Sequence, residues 1–410
     1  MHESKSQLRI ITALLIVVIA LAGGLFFYLP TTRANTVLPP VEEDPPITHA
    51  KVRDAEISLD PSLVFTQTFG GSGEETIVDV FYNDNLLYIF GNTTSNDFDF
   101  DAPGAFLAIL NGSGKTLDFL TYGGTLKAVT LYNGGYLMAI DRDMTPVALA
   151  VDYGGDVIKS TTLSTVRDEE TLDIKYVDGG YLFITSLVQN ITGFTRLKMT
   201  MLDYSLEFTG SVVTDEVYSL SYIDTLDVMG EYRLVANAMS DLRNMLCIGT
   251  WGKKLAHYPL EFSYKVTGFW IIGDFYYLAT SDSATMLIKT DNTVIELCGT
   301  SSQTAIVGDQ KCMYIIANNT FFCVSNDKVL FSAEYGPTSF YVDNYIYAVS
   351  TSGSRTTVRS FLNGSKAFES TFSYEITSPK IITCESGMFV IGNTQGTFGG
   401  NDISLIKVSY

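Results

Sequence analysis

The chain is poor in histidine, tryptophan and basic residues, and its cysteines form no recognisable pattern. Its three histidines are His2, His49 and His257. A serine or cysteine nucleophile needs an imidazole beside it, and a histidine-built zinc site needs several. Only His257 lies in a segment patterned like a folded core, and a lone histidine in a strand is ordinarily structural. The five cysteines, Cys247, Cys298, Cys312, Cys323 and Cys384, are odd in number and far apart, and no C-x-x-C pair occurs. This spacing suggests no metal cluster and points to free, buried thiols, with a single disulfide as the alternative. Lys and Arg total 26 against 45 Asp and Glu, for a formal net charge of −19. Such a surface repels nucleic acid and anionic headgroups, while cations, neutral glycans and proteins stay open as partners.

Apolar and aromatic residues are plentiful. The chain is 46% hydrophobic, with 24 Tyr and 25 Phe against 2 Trp, too apolar for disorder and ample for a large β core. Residues 10–29 (IITALLIVVIALAGGLFFYL) carry no charge, and a helix rising 1.5 Å per residue needs about twenty residues to cross a hydrocarbon core of roughly 30 Å. Lys5 and Arg9 precede this run and acid-rich sequence follows it, so the positive-inside bias predicts a cytoplasmic tail (residues 1–9), a transmembrane signal anchor (10–29) and everything later outside the cell membrane. Cleavage at Ala20-Leu21-Ala22 is the competing reading, but it leaves Gly23 to Leu29 as an exposed apolar end. Six of the eleven prolines fall between Pro30 and Pro61, beside Glu42, Glu43 and Asp44. A segment of that composition prefers extended polyproline II, so residues 30–61 are expected to form a stalk.

After Pro61 no stretch of ten or more residues shows a helical period. Apolar runs of four to eight residues alternate with Asn-Asp, Gly-Gly, Gly-Asp and Asn-Gly turns, which reads as all-β. One unit shows the order: strand a at Thr76–Tyr82, a turn at Asn83-Asp84-Asn85, strand b at Leu86–Phe90, strand c at Ala105–Leu110, an Asn111-Gly112 turn and strand d at Leu117–Tyr122. The a–b turn recurs at Gly134, Gly179, Gly230, Gly273, Asp309, Asp343 and Ser386, 34 to 51 positions apart by subtraction. That is near the length of a four-stranded propeller blade. Strand b is the clearest member (LLYIF, YLMAI, YLFIT, YRLVA, FYYLA, CMYII, YIYAV, MFVIG) and predicts eight blades, or seven if a short unit merges with its neighbour. Leu110-Asn111-Gly112-Ser113 returns as Leu362-Asn363-Gly364-Ser365, and Gly91-Asn92-Thr93 as Gly392-Asn393-Thr394.

The stretch from Thr383 to Tyr410 carries three strand signals and then ends, while Phe65 to Gly71 matches the d strand Asp118 to Gly124 but precedes any a strand. A closure in which the N-terminal strand completes the last blade leaves no open edge. The expected architecture is therefore an eight-bladed β-propeller over residues 62–410, preceded by one transmembrane helix.

At TFGGSGEE followed by LYIFGNTTSNDFDF, and again at FVIGNTQGTFGGNDISLIKV, the sequence resembles the bacterial β-propeller repeats called SBBP repeats. Their pattern has a Gly-Gly turn, an apolar strand, Gly-x-Thr-x-Ser with Asp-Phe, and an apolar strand ending near Lys. The resemblance covers the first and last units, roughly a quarter of the chain. It implies an extracytoplasmic propeller and carries no catalytic residues.

Several constellations remain. Asp97, Asp99 and Asp101 alternate before Pro103-Gly104, and hard oxygen ligands at that spacing can hold Ca²⁺. An EF-hand's glycine and closing glutamate are absent, so the plainer reading is a solvated loop with Phe98 or Phe100 tucked against the sheet. Asn111 to Thr116 imitates the end of a phosphate-binding loop, but Ile109 replaces its first glycine and a strand follows in place of a helix. Asp79, Asp173 and Asp224 fall in or near a strands, where carboxylates could converge for glycan cleavage. Glycosylation triplets begin at Asn92, Asn111, Asn190, Asn318 and Asn363, as Asn-rich turns produce by chance. These observations predict a membrane-anchored, extracytoplasmic module with a monomeric head, without a cofactor, that binds protein or glycan. A propeller hydrolase or lyase acting on glycans is the alternative.

Overall fold

The computed structural model describes residues 62–409, less Phe98 and the segments 165–168, 190–193, 214–217, 220–224, 229–230, 239–242, 250–255, 260–265, 273–274, 281–283, 290–292, 300–303, 309–311, 318–319, 335–336, 343–345, 363–364, 374 and 396–399. The tail, anchor and stalk expected over residues 1–61 lie outside the described residues. All described residues belong to the second of two compact units, Ile47–Tyr410. Every regular element among them is a strand, and no helix among them is long and apolar enough to cross a membrane.

Four-stranded antiparallel sheets recur along the chain. The first pairs Glu75–Asn83, Leu86–Thr93, Gly104–Asn111 and Thr116–Tyr122 in that order, and the second pairs Thr125–Tyr132, Gly135–Arg142, Thr145–Asp152 and Val157–Thr162. A nine-stranded sheet spans residues 169–259, and three more four-stranded sheets begin at Val266, Thr304 and Pro337. Seven of the eight expected b strands fall in strands of these sheets, and the eighth, MFVIG, falls in the last sheet. The turns between a and b follow from local chemistry: Asp84 and Asn85 adopt φ of 48° and 63°, the two left-handed positions of a tight hairpin turn that suits twisted strands.

The last sheet contains Thr377–Cys384, Gly387–Gln395 and Asn401–Ser409, and its fourth strand is Ser62–Phe69 from the other end of the described chain. Phe65 faces Lys407 and Phe69 faces Ile403 in antiparallel register, as the sequence match predicts. The first strand of that sheet begins at Thr377, ahead of the expected stretch at Thr383. Ser378, with φ 49°, and Pro379, which has no N–H, form a bulge between the pairing of Thr377 with Asn393 and of Lys380 with Ile391.

The innermost strands of neighbouring sheets lie side by side, and the last sheet's Thr377–Cys384 lies beside the first sheet's Glu75–Asn83. The core sits between sheets. Phe69, Leu87, Ile89, Phe106, Phe389, Ile391 and Leu405 fill the seam that joins the chain's two ends, and Tyr88, Phe90, Leu107, Leu126, Tyr136 and Met138 fill the next. Leu86–Thr93, Gly135–Arg142, Met313–Ala317 and Gly387–Gln395 carry runs of consecutive buried residues, so both faces of each are covered, because each face meets a different neighbour. Cys323 and Cys384 are buried thiols as expected, whereas Cys298 and Cys312 are only partly buried, and none of the four forms a disulfide. The Cys247 side chain lies outside the described residues.

Candidate functional site

Among the described residues, six of the inner strands share a bulge, while Thr225–Val228 and Thr304–Gly308 pair without a shift. The residue skipped in pairing is Val78 in the first sheet, Lys127 in the second, Leu172 in the third, Thr267 in the sheet starting at Val266 and Thr338 in the sheet starting at Pro337. A bulge turns its strand and re-aims the adjoining side chain. Asp79 and Asp173 follow it directly, as does Lys380 in the last sheet. Asp79 Oδ1 lies 3.7 Å from Lys380 Nζ, and Asp173 Oδ2 lies 2.9 Å from Lys175 Nζ. Lys380 also donates to the Val78 carbonyl. Desolvation raises the Asp79 carboxyl above its ordinary range, while the Lys380 and Lys175 ammoniums pull it back. Both lysines act on one carboxylate, so inner strands from three sheets share one electrostatic environment. Asp224 lies outside the described residues.

Asp97 and Asp99 are brought together, and they serve the backbone. Five successive amides of the glycine-rich turn find side-chain oxygens: Gly70 N–H donates to Asp99 Oδ2 (3.1 Å), Gly71 to Glu75 Oε2 (3.2 Å), Ser72 to Asp97 Oδ1 (2.9 Å), Gly73 to Ser95 Oγ (2.8 Å) and Glu74 to Thr94 Oγ1 (2.7 Å). Glu75 is fully buried and also accepts from the Thr93 and Ser95 hydroxyls at 2.7 and 2.6 Å. A Cβ on Gly71 would sit 2.3 Å from Ser95 Cβ, and one on Gly70 would sit 2.4 Å from Asp402 Oδ1, which explains the glycine pair. The loop is thus a clamp on the turn that leads out of the closing strand, more committed than a solvated loop. Phe100 is buried and packs 5.1 Å from Phe106 and 5.7 Å from Phe119. Asp101 is exposed and Phe98 lies outside the described residues. Among the described residues no three His, Cys, Asp or Glu side chains are grouped to hold a metal ion.

The sequence echoes are seams. Asn92 accepts from Leu126 N–H (2.7 Å) and donates to Leu126 C=O (3.0 Å) on the next sheet's inner strand. Its repeat Asn393 donates to the Glu75 carbonyl at 2.6 Å. Asp141, one sheet on and in the same register, accepts from Thr171 N–H (3.1 Å) and from the Thr171 hydroxyl (2.7 Å). Burial raises the Asp141 carboxyl, while the Thr171 hydrogen bonds and Lys127 lower it. Towards the other end of the seam, Lys407 donates to Gly112 C=O, and Lys289, at the same register, reaches Asp327 Oδ2 at 2.9 Å.

The phosphate-loop imitation is a capped turn. Asn111 Oδ1 accepts from Ser113 N–H (3.0 Å) and Lys115 N–H (2.9 Å), and Asp152 and Asp203 repeat the arrangement with residues two and four ahead at 2.9 Å. His257 lies on the strand Ala256–Pro259 opposite Cys247, and its side chain lies outside the described residues. One group that sequence reasoning missed is a set of tyrosines at the a–b turn of the third unit. Its signal was present: Asp203-Tyr204 repeats Asp152-Tyr153 at the same turn position.

No protein-family model matches the chain, and no curated protein matches it. Among solved structures, it is similar to the Dos1 propeller at 12% identity, with 85% of this chain and 95% of that chain covered and a TM-score of 0.55. It is also similar to Saccharomyces cerevisiae Sqt1 at 12% identity, with 84% and 98% covered and a TM-score of 0.55. Likeness at that identity carries the fold alone. With repeated four-stranded sheets, adjacent inner strands and a sheet shared by both ends, the described chain has the β-propeller fold.

Proposed function

We propose that the protein is a membrane-anchored, extracytoplasmic propeller of eight blades that acts as a non-enzymatic binding or scaffolding module for protein or glycan ligands. The blade count takes the nine-stranded sheet as two units bridged by the two-residue strand Tyr218–Ser219, which pairs with Phe194–Leu202 on one side and Glu231–Ala238 on the other. The SBBP-like pattern and the charge asymmetry around residues 10–29 support display outside the cell, on the stalk of residues 30–61. The observation that carries the binding reading is the engagement of the carboxylates that sequence singled out. Asp97 and Asp99 hold turn amides, and Asp79 and Asp173 each face a lysine. Groups committed to backbone and ion pairs hold a scaffold, and loops on a rigid scaffold present contacts. A Ca²⁺ role for Asp97, Asp99 and Asp101 would have to compete with those amides.

The raised Asp79 carboxyl favours one second reading, a glycan hydrolase or lyase using Asp79 as proton donor. A membrane-impermeant maleimide on intact cells, with a cysteine placed at Ser113, tests topology. Photocrosslinkers at the a–b turns of the full chain, in intact cells, test function. The proposal expects labelling from outside and an adduct of one discrete mass. Labelling only after lysis, or glycan turnover lost in Asp79→Asn with no adduct from any position, contradicts it.

A further inference from the structure

Tyr176 and Tyr204 are 49% and 45% exposed, on a chain whose neighbouring Tyr181 is 2% exposed. Tyr176 is the last but one residue of the inner strand Glu169–Val177, and Tyr204 lies in the turn between the third and fourth strands of the same unit. Tyr204 folds back over the hairpin turn: its hydroxyl accepts from Gly179 N–H at 3.0 Å and lies 3.4 Å from the Val177 carbonyl. The two exposed rings are 5.8 Å apart and inclined by 35°. Tyr181 supports both from below, edge-on, at 5.6 Å from Tyr176 and 6.3 Å from Tyr204, and Tyr132 of the preceding unit backs Tyr181 at 5.8 Å. Two half-exposed aromatic rings are therefore held against each other on a buried base. Little side-chain freedom is left to lose on binding.

We infer that Tyr176 and Tyr204 form a stacking platform for a neutral carbohydrate, which deepens the binding-module reading by naming a ligand class for the a–b turn end of the propeller. The axial C–H face of a β-linked pyranose is apolar and slightly positive, and it matches the negative face of a tyrosine ring. Hydroxyls on the sugar's rim both donate and accept. The platform's border supplies both: Asp178 is exposed beside it, and Lys159 is paired with Glu207 and donates to the carbonyl of Ser205, next to Tyr204, at 2.7 Å. Size separates a sugar from a protein partner here. Two half-exposed tyrosines present on the order of 200 Å², about one or two sugar rings, whereas a stable protein interface needs about 800 Å² from each partner.

The test uses the full chain in a polyoxyethylene detergent without sugar headgroups, with cellotetraose and N,N′-diacetylchitobiose as probes. Saturation-transfer NMR is expected to mark the axial ring protons of at least one probe. Tyr176→Ala or Tyr204→Ala should weaken binding about tenfold or more, while Tyr204→Phe, which keeps the ring, should stay within about threefold. Nitration of the unaltered protein, mapped by mass spectrometry, needs no variant: saturating sugar should protect Tyr176 and Tyr204. No transfer from either probe, or binding unchanged in a folded Tyr204→Ala, overturns the inference. Protection of both tyrosines in intact cells without any sugar effect also overturns it in favour of a protein contact, and leaves the binding-module reading standing.

Discussion

Replacing Tyr136 by Phe is expected to stabilise the propeller. Tyr136 is fully buried, and its ring lies 4.9 Å from Tyr88, 5.0 Å from both Phe81 and Phe90, and 5.6 Å from Tyr153. Its hydroxyl has no hydrogen-bond partner among the described residues. Burying an unbonded hydroxyl costs about 1–3 kcal/mol. Deleting the oxygen leaves a void of roughly 10–15 Å³, worth about 0.3 kcal/mol at 24 cal/mol per Å³. The net expectation is a gain of about 1–2 kcal/mol, and for roughly 350 folded residues that raises Tm by about 1.5–3 °C. Tyr122→Phe is the internal control, because the Tyr122 hydroxyl donates to Gly155 C=O at 2.7 Å and its loss should cost about 1 kcal/mol. Urea unfolding followed by tyrosine fluorescence and by calorimetry measures both. If Tyr136→Phe destabilises as Tyr122→Phe does, the Tyr136 hydroxyl is bonded in solution and the reasoning is wrong. The same aromatic seam sets an alkaline limit. Burial pushes the Tyr88 phenol up to about 12 from its usual 10, so its folded form resists ionisation. The associated stability, about 3 kcal/mol, is intact below pH 10 and disappears as pH rises towards 12. Tyrosinate absorbance should therefore appear together with unfolding.

Asn92→Ala strips both backbone groups of Leu126 of their partner and should cost about 2 kcal/mol, read as a lower urea midpoint at unchanged slope; an unaltered midpoint rejects the seam role. Gly71→Ala drives a Cβ to 2.3 Å from Ser95 Cβ, and should cost about 1–3 kcal/mol by overpacking, seen in thermal unfolding, with loss of protection at the amides of residues 70–74 in hydrogen exchange. Removing residues 62–69 uncovers one edge of Asn401–Ser409, most of whose residues are buried; the shortened chain should aggregate, and a monodisperse, folded product by light scattering would refute the closure. Lys380→Met removes the nearer cation from Asp79 and should raise that carboxyl further. A carboxyl raised on folding holds its proton to higher pH than in the unfolded chain. Its contribution is therefore most favourable at pH below the unfolded value of 3.8 and falls as pH rises, so the variant should lose stability between mildly acid and neutral pH. Carbon-13 NMR titration of Asp79 checks the direction.

Much of the fold was legible because its cues are local. Asp84-Asn85 accepts left-handed φ, Gly-Gly permits the close approach of Ser95 and Asp402, and an apolar run such as Leu86–Phe90 needs cover on both faces. The match of Phe65–Gly71 to Asp118–Gly124 disclosed the closing strand, because equivalent strands meet equivalent neighbours. What the polar residues do was not legible. Asp97 and Asp99 had the alternation of metal ligands, yet they receive amides from a turn more than twenty residues earlier, which only the packing of two sheets brings into range. Asn92 looked like part of a repeat or a glycosylation triplet, and its two bonds to Leu126 depend on the rotation of one sheet against the next.

By itself the sequence determined the strand rhythm, the hairpin turns, the joining of the two ends and the acidic surface, since each rests on residues within one unit or on composition. Tertiary structure alone decided which side chains span the seams, where the inner-strand bulges aim Asp79 and Lys380, that the Tyr136 hydroxyl is stranded, and that Tyr176 and Tyr204 stay open to solvent. Those outcomes turn on ångström distances between strands far apart in the chain, set by sheet twist and close packing, which no local pattern specifies.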